Sequence, residues 1–277
     1  ARKALIATLK RIATLCDGVR CDMAMLLLND VFENTWGERS RPVGGDRAPG
    51  EFWSEAIRAV REKMPNFKFV AEAYWDREWQ LQQLGFDYTY DKRLYERLAH
   101  EGSSAVYEHL KANLEFQRRS VRFIENHDEQ RASNVFKSEP WHFAAAAVMS
   151  SAPGMVLMHE GQLTGSKLKL PVQLGRRPIE QGSPQIQSFY ENLLRVVSHR
   201  IFRHGHWRLL PVKPAWHDNY SWANYLAFWW FEKTEGARFV VVNYAPQNGQ
   251  CYIELDLEGI EGPTVGFRDL VSSAVYV

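Results

Sequence analysis

The first segment of the sequence that could carry chemistry is Gly18 to Ala24, which places Arg20 and Asp22 two residues apart. Alternate side chains of a strand lie on one face, so these two groups are expected to touch. An arginine beside a carboxylate keeps it ionised and orients it. The pair therefore predicts either a structural ion pair or an oriented nucleophile.

Two further segments carry carboxylates beside apolar strand-like residues. Glu72 lies inside the apolar stretch Phe69 to Trp75, where a carboxylate is costly unless it is paired or used in catalysis. A third segment, Phe123 to Arg131, runs from apolar residues into the polar sequence that contains His127 and Asp128. That cluster predicts either a solvated loop capping the next helix or part of a site.

The elements that must position these groups alternate between strands and helices, which predicts a parallel sheet in an α/β fold. Five strands are predicted, over Val19 to Ala24, Phe67 to Ala73, Phe86 to Tyr90, Val121 to Glu125 and Met155 to Met158. All three carboxylate segments come at the C-terminal ends of strands, where enzymes with barrels of alternating β and α units build their sites. Two carboxylates flanking a glycosidic bond are the minimum equipment for glycoside hydrolysis.

The pattern changes after Gly205. Four strands without intervening helices are predicted over Tyr225 to Phe231, Arg238 to Tyr244, Gln250 to Leu257 and Thr264 to Val271. Asn248-Gly249 predicts a hairpin between the second and third of them. We therefore expect residues 1–204 to belong to the sheet-and-helix domain and residues 205–277 to a small antiparallel β-domain.

Composition bounds the function further. The 277 residues carry 34 Lys and Arg against 33 Asp and Glu, a net charge of +1, so no nucleic-acid partner held by bulk charge is expected. The apolar fraction of 45% is that of a folded protein, and no apolar stretch is long enough to span a membrane. Three cysteines without a CxxC pair favour a reducing, cytoplasmic compartment.

Taken in order, these motifs resemble those of the α-amylase family. The G-x-R-x-D of Gly18 to Asp22, the glutamate after an apolar strand at Glu72 and the N-H-D of Asn126 to Asp128 carry the resemblance. That family consists of retaining α-glucan hydrolases and transferases built on a (β/α)8 TIM barrel. The resemblance covers about residues 1 to 204, and the tail is similar to the family's C-terminal β-domain.

The resemblance implies a role for each motif residue. Asp22 would be the nucleophile on the fourth barrel strand, Glu72 the acid/base on the fifth, and Asp128 the transition-state stabiliser after the seventh. Arg20 would bond the nucleophile and His127 would bond sugar hydroxyls. The implied substrate is an α-glucan or α-glucoside, and hydrolysis, glucanotransfer and trehalose- or sucrose-type isomerisation all remain open. The two carboxylates of a retaining enzyme are expected about 5 to 5.5 Å apart.

The sequence departs from the family pattern in two places. Three upstream βα units and the family's early Asp and Asn-His motif have no counterpart, so we expect this chain to be an interior piece of a longer protein and silent in catalysis alone. The missing strands must then come from the rest of the protein or from another chain. Met25 and Leu26 stand where the family's amylases often have Lys-His, so structural calcium is not supported, and the chemistry itself requires no cofactor. A non-catalytic fragment or relative is the alternative.

Aromatic and histidine side chains offer weaker signals. Trp75 is a candidate for stacking on sugar rings, as are Trp36 and Trp79, with core packing as the alternative. His199, His204 and His206 could suggest a metal site, but their position at a predicted helix end favours capping, and no metal site is expected.

Overall fold

The computed structural model describes residues 1–37, 50–176, 178–255, 266–271 and 274–276. The chain falls into two compact units, Ala1–Lys92 with Arg118–Val121 and Arg93–Gln117 with Arg122–Val277. The division into domains at residues 204 and 205 stays a prediction.

An α/β architecture with a five-stranded sheet is present, as predicted. The strands follow chain order across the sheet and are β1 (Gly18–Cys21), β2 (Lys68–Ala71), β3 (Tyr88–Tyr90), β4 (Ser120–Arg122) and β5 (Met155–Val156). The pairs β1–β2, β2–β3 and β3–β4 are parallel. The described residues supply five of the eight strands that a TIM barrel requires, so the closed barrel stays a prediction.

The strands are shorter than predicted, because the predicted segments included the polar residues that follow them. The first strand ends at Cys21, before Asp22, and the second ends at Ala71, before Glu72. The Asp22 side chain bonds to Arg20, and the Glu72 side chain accepts from the backbone of Met23. The candidate groups therefore lie just beyond the sheet edge.

The first unit buries its apolar residues between the sheet and four helices. They are α1 (Arg2–Ile12), α2 (Asn29–Trp36), α3 (Phe52–Arg61) and α4 (Glu78–Gln83). Aromatic rings meet edge to face in this core, with centroids 4.9 Å apart for Trp53 and Phe86. The Trp53 indole also donates a 2.8 Å hydrogen bond to the carbonyl of Ala24, just after β1. The core thereby anchors the segment that carries Asp22.

The helices that follow β3 are short, apart from two. They are α5 (Lys92–Glu96), a π-helical turn (Arg97–Glu101), α6 (Ser103–Leu110), α7 (Leu114–Arg118), α8 (Ala132–Val135), α9 (Glu139–Ser151), α10 (Pro184–Val197) and α11 (Ile201–His204). The longer helices α9 and α10 each begin with a serine cap and a proline in the first turn. No described helix is long and apolar enough to cross a membrane.

The C-terminal part is antiparallel, as predicted, but one predicted hairpin is wrong. Its strands are β6 (His206–Leu209), β7 (Val212–Lys213), β8 (Tyr225–Glu232), β9 (Gly236–Asn243), β10 (Tyr252–Ile253), β11 (Phe267–Arg268) and β12 (Val275–Tyr276). β9 pairs with β8, whereas β10 pairs with β7, so Asn248-Gly249 joins strands of different sheets. The Tyr225 hydroxyl donates to the carbonyl of Gly249 at 2.6 Å and holds the turn there. Part of the last two predicted strands lies outside the described residues.

A fully buried arginine lies at the end of β4. Arg122 donates to the carbonyl of Pro153 at 3.0 Å and also bonds to Gln117, and its Nη1 lies 3.3 Å from Nε2 of His109. Burial lowers the pKa of Arg122 to about 9. These bonds fix the start of the segment that leads to Asp128.

His142 of α9 is part of a buried polar chain. Its Nε2 lies 2.9 Å from the Tyr190 hydroxyl, which accepts a 2.8 Å bond from the amide of Gln162. Burial lowers the pKa of His142 to about 4, from an ordinary value of 6.5. The imidazole is therefore neutral in the folded chain at neutral pH.

This burial predicts a pH-dependent stability. The unfolded chain takes up a proton at His142 near pH 6.5, whereas the folded chain does so only near pH 4. The folded state therefore has its full stability with respect to His142 above pH 6.5 and loses part of it as the pH falls toward 4. Between pH 6.5 and 4, we expect the free energy of unfolding of His142→Gln to fall less steeply with decreasing pH than that of the unaltered chain. The difference in slope is up to about 1.4 kcal/mol per pH unit. Urea unfolding between pH 4 and 7 measures it, and parallel curves for the two proteins would contradict it.

Candidate active site

The register of two parallel strands brings the first two candidate carboxylates to one sheet edge. Cys21 of β1 pairs with Ala71 of β2, so Asp22 and Glu72 are the next residue on each strand. Backbone hydrogen bonds between the two segments continue past this pair. Glu72 N donates to the carbonyl of Cys21, and Ala24 N donates to the carbonyl of Glu72, both at 3.0 Å. The two side chains thus start from neighbouring points.

Arg20 contacts both carboxylates. Its Nη1 lies 2.6 Å from Oδ2 of Asp22, and its Nη2 lies 2.8 Å from Oε1 of Glu72. The contact between Arg20 and Asp22 that the sequence spacing predicts is present. The planar guanidinium therefore fixes each carboxylate relative to the other.

Glu72 is almost fully buried, at 3% exposure, while its oxygens are well supplied with donors. Tyr74 Oη donates to Oε1 at 2.9 Å, beside the Arg20 contact, and the backbone N of Met23 donates to Oε2 at 2.6 Å. These donors offset the cost of burying a carboxylate. Asp22 differs, because 78% of its side chain is exposed. One carboxylate is enclosed and the other is open to a ligand.

The bond from Met23 depends on an unusual backbone. Met23 has φ of 43° and ψ of 47°, in the left-handed region that non-glycine residues seldom adopt. In this conformation its N–H can donate to Glu72 directly after the strand ends. Local strain of this kind concentrates at functional sites.

Tyr90 of β3 supports Arg20 from two strands away in the sheet. The guanidinium carbon of Arg20 lies 5.5 Å from the centre of the Tyr90 ring, within cation–π range. Burial opposes the Arg20 charge, but hydrogen bonds to Asp22 and Tyr90 and the nearby Glu72 charge raise its pKa above the ordinary value. Burial also raises the pKa of the Cys21 thiol to about 12, so that residue is a packed, un-ionised side chain.

The three candidate tryptophans are exposed, so core packing is wrong for them. Trp75 is 60% exposed, Trp36 56% and Trp79 44%. Trp75 and Asp76 both have left-handed backbones, with φ of 63° and 58°. This turn presents the Trp75 indole to solvent immediately after Glu72 and Tyr74, where a ligand ring could stack.

The second unit carries the other predicted pair. Oδ1 of Asn126 accepts bonds from the backbone N of Asp128 and of Glu129, each at 2.9 Å, and so shapes a tight turn. His127 Nε2 lies 3.1 Å from Oδ2 of Asp128, and both side chains are nearly half exposed. Asn126 builds the turn, which leaves His127 and Asp128 open to a ligand.

A buried ion-pair cluster under this turn escaped the sequence reasoning. Glu125 is 1% exposed and accepts bonds from Arg131 Nη1 at 2.7 Å and Ala132 N at 2.6 Å, and its Oε1 lies 3.0 Å from His159 Nδ1. Nothing in the sequence pairs it with His159, which lies 34 residues further on.

A loop from the end of β5 also reaches the turn. Lys169 Nζ donates to the backbone carbonyl of Asp128, and Arg131 Nε donates to the carbonyl of Leu168 at 3.1 Å. Glu180 accepts from the backbone N of Lys167 at 2.6 Å and closes the base of the loop. The segment Leu170 to Pro178 belongs to this loop, with Arg177 outside the described residues.

The structure also bears on the histidines near residue 200. His199 Nδ1 accepts a 3.3 Å bond from the backbone N of Ile201, the first residue of α11, and its Nε2 lies 3.2 Å from Glu235. Neither contact caps the helix end at Gly205, so capping by these histidines stays a prediction. Within the described parts of the chain, no group of three or more His, Cys, Asp or Glu side chains could hold a metal ion.

Comparisons with known proteins agree with this architecture. No family model and no curated protein matches the sequence. Solved structures do match. A maltogenic α-amylase from Thermotoga neapolitana has a TM-score of 0.71 and 18% identity, and the match covers 99% of this chain and 60% of that one. An α-amylase from Anoxybacillus has a TM-score of 0.68 and 15% identity, with 99% of this chain and 57% of that one covered. A debranching enzyme from Nostoc punctiforme has a TM-score of 0.64 and 15% identity, with 88% of this chain and 51% of that one covered.

The chain therefore has the fold of the corresponding part of α-amylase family enzymes, and the resemblance inferred from the motifs is confirmed at the level of the fold. It spans between 51% and 60% of the length of the three structures compared.

The Glu125 cluster predicts a large stability effect. Glu125→Gln removes the charge that Arg131 faces while leaving the arginine buried, so we expect a loss of at least about 3 kcal/mol in the free energy of unfolding. Urea unfolding at pH 7 measures it. The matched change Glu108→Gln, in the solvent-exposed pair with Lys111, should leave the midpoint unchanged. Equal effects of the two substitutions would contradict a structural role for the cluster.

Proposed function

We propose that the protein to which this chain belongs is a retaining α-glycosidase that acts on α-glucans or α-glucosides. The observation that carries the proposal is the sharing of Arg20 between Asp22 and Glu72, at the ends of adjacent parallel strands. An open carboxylate beside an enclosed one suits a nucleophile and an acid/base. The fold, shared with a maltogenic α-amylase and a debranching enzyme, supports the same substrate class.

In the first step, Asp22 attacks the anomeric carbon of the sugar while Glu72 gives its proton to the departing glycosidic oxygen. The C–O bond to the leaving group breaks as the ester bond to Asp22 forms, which leaves Glu72 as a carboxylate. Tyr74 and the backbone of Met23 donate to Glu72, and Arg20 contacts it, so its two oxygens stay in place while the proton moves. Glu72 then takes a proton from water or an acceptor hydroxyl, which attacks the anomeric carbon and releases Asp22.

Arg20 gives Asp22 its orientation before attack. Once the ester forms, Asp22 loses its charge and the guanidinium still has Glu72 as its partner. Because Arg20 holds both groups, charge can leave one carboxylate while the other keeps the arginine in place.

The remaining candidate residues have supporting roles in this proposal. Asp128 stabilises the positive charge that develops on the sugar in the transition state, and His127 bonds to sugar hydroxyls. Trp75 supplies an exposed ring on which a sugar can stack. No cofactor is required for these steps.

The proposal concerns the whole protein, since the described residues form a sheet of five strands and the chain spans only part of the length of the compared structures. The other barrel strands come from the rest of the protein or from another chain. Transfer to a sugar acceptor in place of water uses the same three carboxylates, as does isomerisation of a disaccharide. Water access on the acceptor side decides among them.

The test is a product assay of the complete protein on maltooligosaccharides, glycogen, sucrose and trehalose. We expect α-configured glucose or oligosaccharide products, no activity in Asp22→Asn, and a loss of at least about a hundredfold in Glu72→Gln. The Glu72→Gln loss should be smaller on a glucoside whose leaving group needs no proton.

Glu62→Gln, an exposed carboxylate at the end of α3, is the matched control and should retain full activity. Absence of any product from the unaltered complete protein would favour the non-catalytic relative. Full activity in Asp22→Asn would overturn the assignment of the nucleophile.

A further inference from the structure

We infer that the first unit holds a second binding site, for a phosphate group, at the sheet edge opposite Asp22 and Glu72. A cavity of about 390 Å³ lies there, lined by Arg61, Arg118, Arg119 and Asp87 together with Gly85, Phe86 and Tyr88. This inference does not depend on the glycosidase proposal.

The topology separates this cavity from the candidate active site. Asp22 and Glu72 follow the last residues of β1 and β2, whereas Tyr88 is the first residue of β3 and Arg119 comes just before β4. Strands β1 to β4 are parallel, so their starts and their ends lie at opposite edges of the sheet. Four strand residues span about 13 Å, so one small ligand cannot occupy both places.

The charges that line the cavity favour an anion. Three arginines and one aspartate leave a net charge of +2 on its wall. Asp87 is already engaged: its Oδ2 accepts from Arg61 Nη2 at 2.7 Å and from Phe69 N at 2.8 Å, and Lys68 Nζ lies 3.3 Å from its Oδ1. The negative charge of Asp87 is therefore already paired with the positive charges of Arg61 and Lys68.

Two of the guanidinium groups are held in place before any ligand arrives. Arg61 rests over the Phe69 ring, 5.8 Å from its centre, and the bond to Asp87 uses one end of its fork of donors. Arg119 Nη2 donates to the carbonyls of Gln82 and Phe86, at 2.7 and 2.5 Å. Fixed arginine forks bind phosphate oxygens well, because little side-chain entropy is lost.

Glycine shapes the wall of the cavity. Gly85 has φ of 111°, and a Cβ there would lie 3.3 Å from Ile57 and 3.8 Å from Arg61 Nη1. The absence of a side chain keeps the backbone of residues 85–87 close to the Arg61 guanidinium. The cavity is larger than a phosphate ion, so it also has room for the monoester of a small molecule.

The experiment measures binding of inorganic phosphate, glucose 1-phosphate and neutral glucose to the longest natural form of the protein that contains this chain. Calorimetry gives the affinities, and amide NMR shifts of Gly85 and Asp87 give the location. We expect saturable binding of phosphate or its monoester with Kd below about 1 mM, and none of glucose at these amides.

Arg118→Gln should weaken phosphate binding at least about fivefold, because an exposed arginine at the cavity loses its bond to the anion. Arg58→Gln is the matched control: Arg58 is exposed on the same helix as Arg61, one turn earlier, and should leave the affinity unchanged. Arg61→Lys, which keeps the charge but loses the fork, is the second variant and should also weaken binding.

Tighter binding of the monoester than of inorganic phosphate would assign the site to a phosphorylated small molecule, and equal binding would assign it to the phosphate group alone; both support the site. Absence of saturable binding by the unaltered protein would overturn it. An equal loss in Arg58→Gln and Arg118→Gln would also overturn it, because diffuse surface charge would then explain the binding.

Discussion

The guanidinium of Arg20, placed between the carboxylates of Asp22 and Glu72, is the interaction on which the candidate site depends. It requires β1 and β2 to be parallel and in the register that pairs Cys21 with Ala71. A shift of one residue would turn Arg20 to the other face of the sheet and separate the three groups. The packing of the first unit, from Trp53 on Ala24 to Tyr90 on Arg20, maintains that register.

The same arrangement explains why the strands end where they do. Glu72 is buried and needs donors, which Tyr74 and the strained backbone of Met23 supply in addition to Arg20. The second unit repeats this design, since buried Glu125 is satisfied by Arg131 and by the backbone of Ala132, below a turn that exposes Asp128. In both places a buried carboxylate stabilises a segment whose neighbouring carboxylate is open.

The sequence was sufficient for the parallel strands, because strands alternate with helices along the chain. It was also sufficient for the contact between Arg20 and Asp22, because alternate residues of a strand share a face. It could not show contacts between distant segments, such as Glu125 with His159 or Lys169 with the carbonyl of Asp128. It also misplaced the Asn248-Gly249 turn, since the contacts of Gly249 with Tyr225 and Ser221 join segments that are distant in the sequence. The predicted strands are too long at their C-terminal ends. A polar residue after an apolar run continues the alternation of a strand in the sequence, but in the structure it lies beyond the strand.

The most direct test of the account is to identify the carboxylate that becomes glycosylated and to ask whether Arg20 controls the rate. The complete protein is incubated with a fluorinated α-glucosyl fluoride that forms the ester but hydrolyses slowly, and peptide mass spectrometry locates the adduct. We expect it on Asp22, forming at least about tenfold more slowly in Arg20→Ala, because the carboxylate then loses the partner that orients it for attack. Arg58→Ala should leave the rate unchanged. An adduct on another carboxylate, or an unchanged rate in Arg20→Ala, would contradict the account.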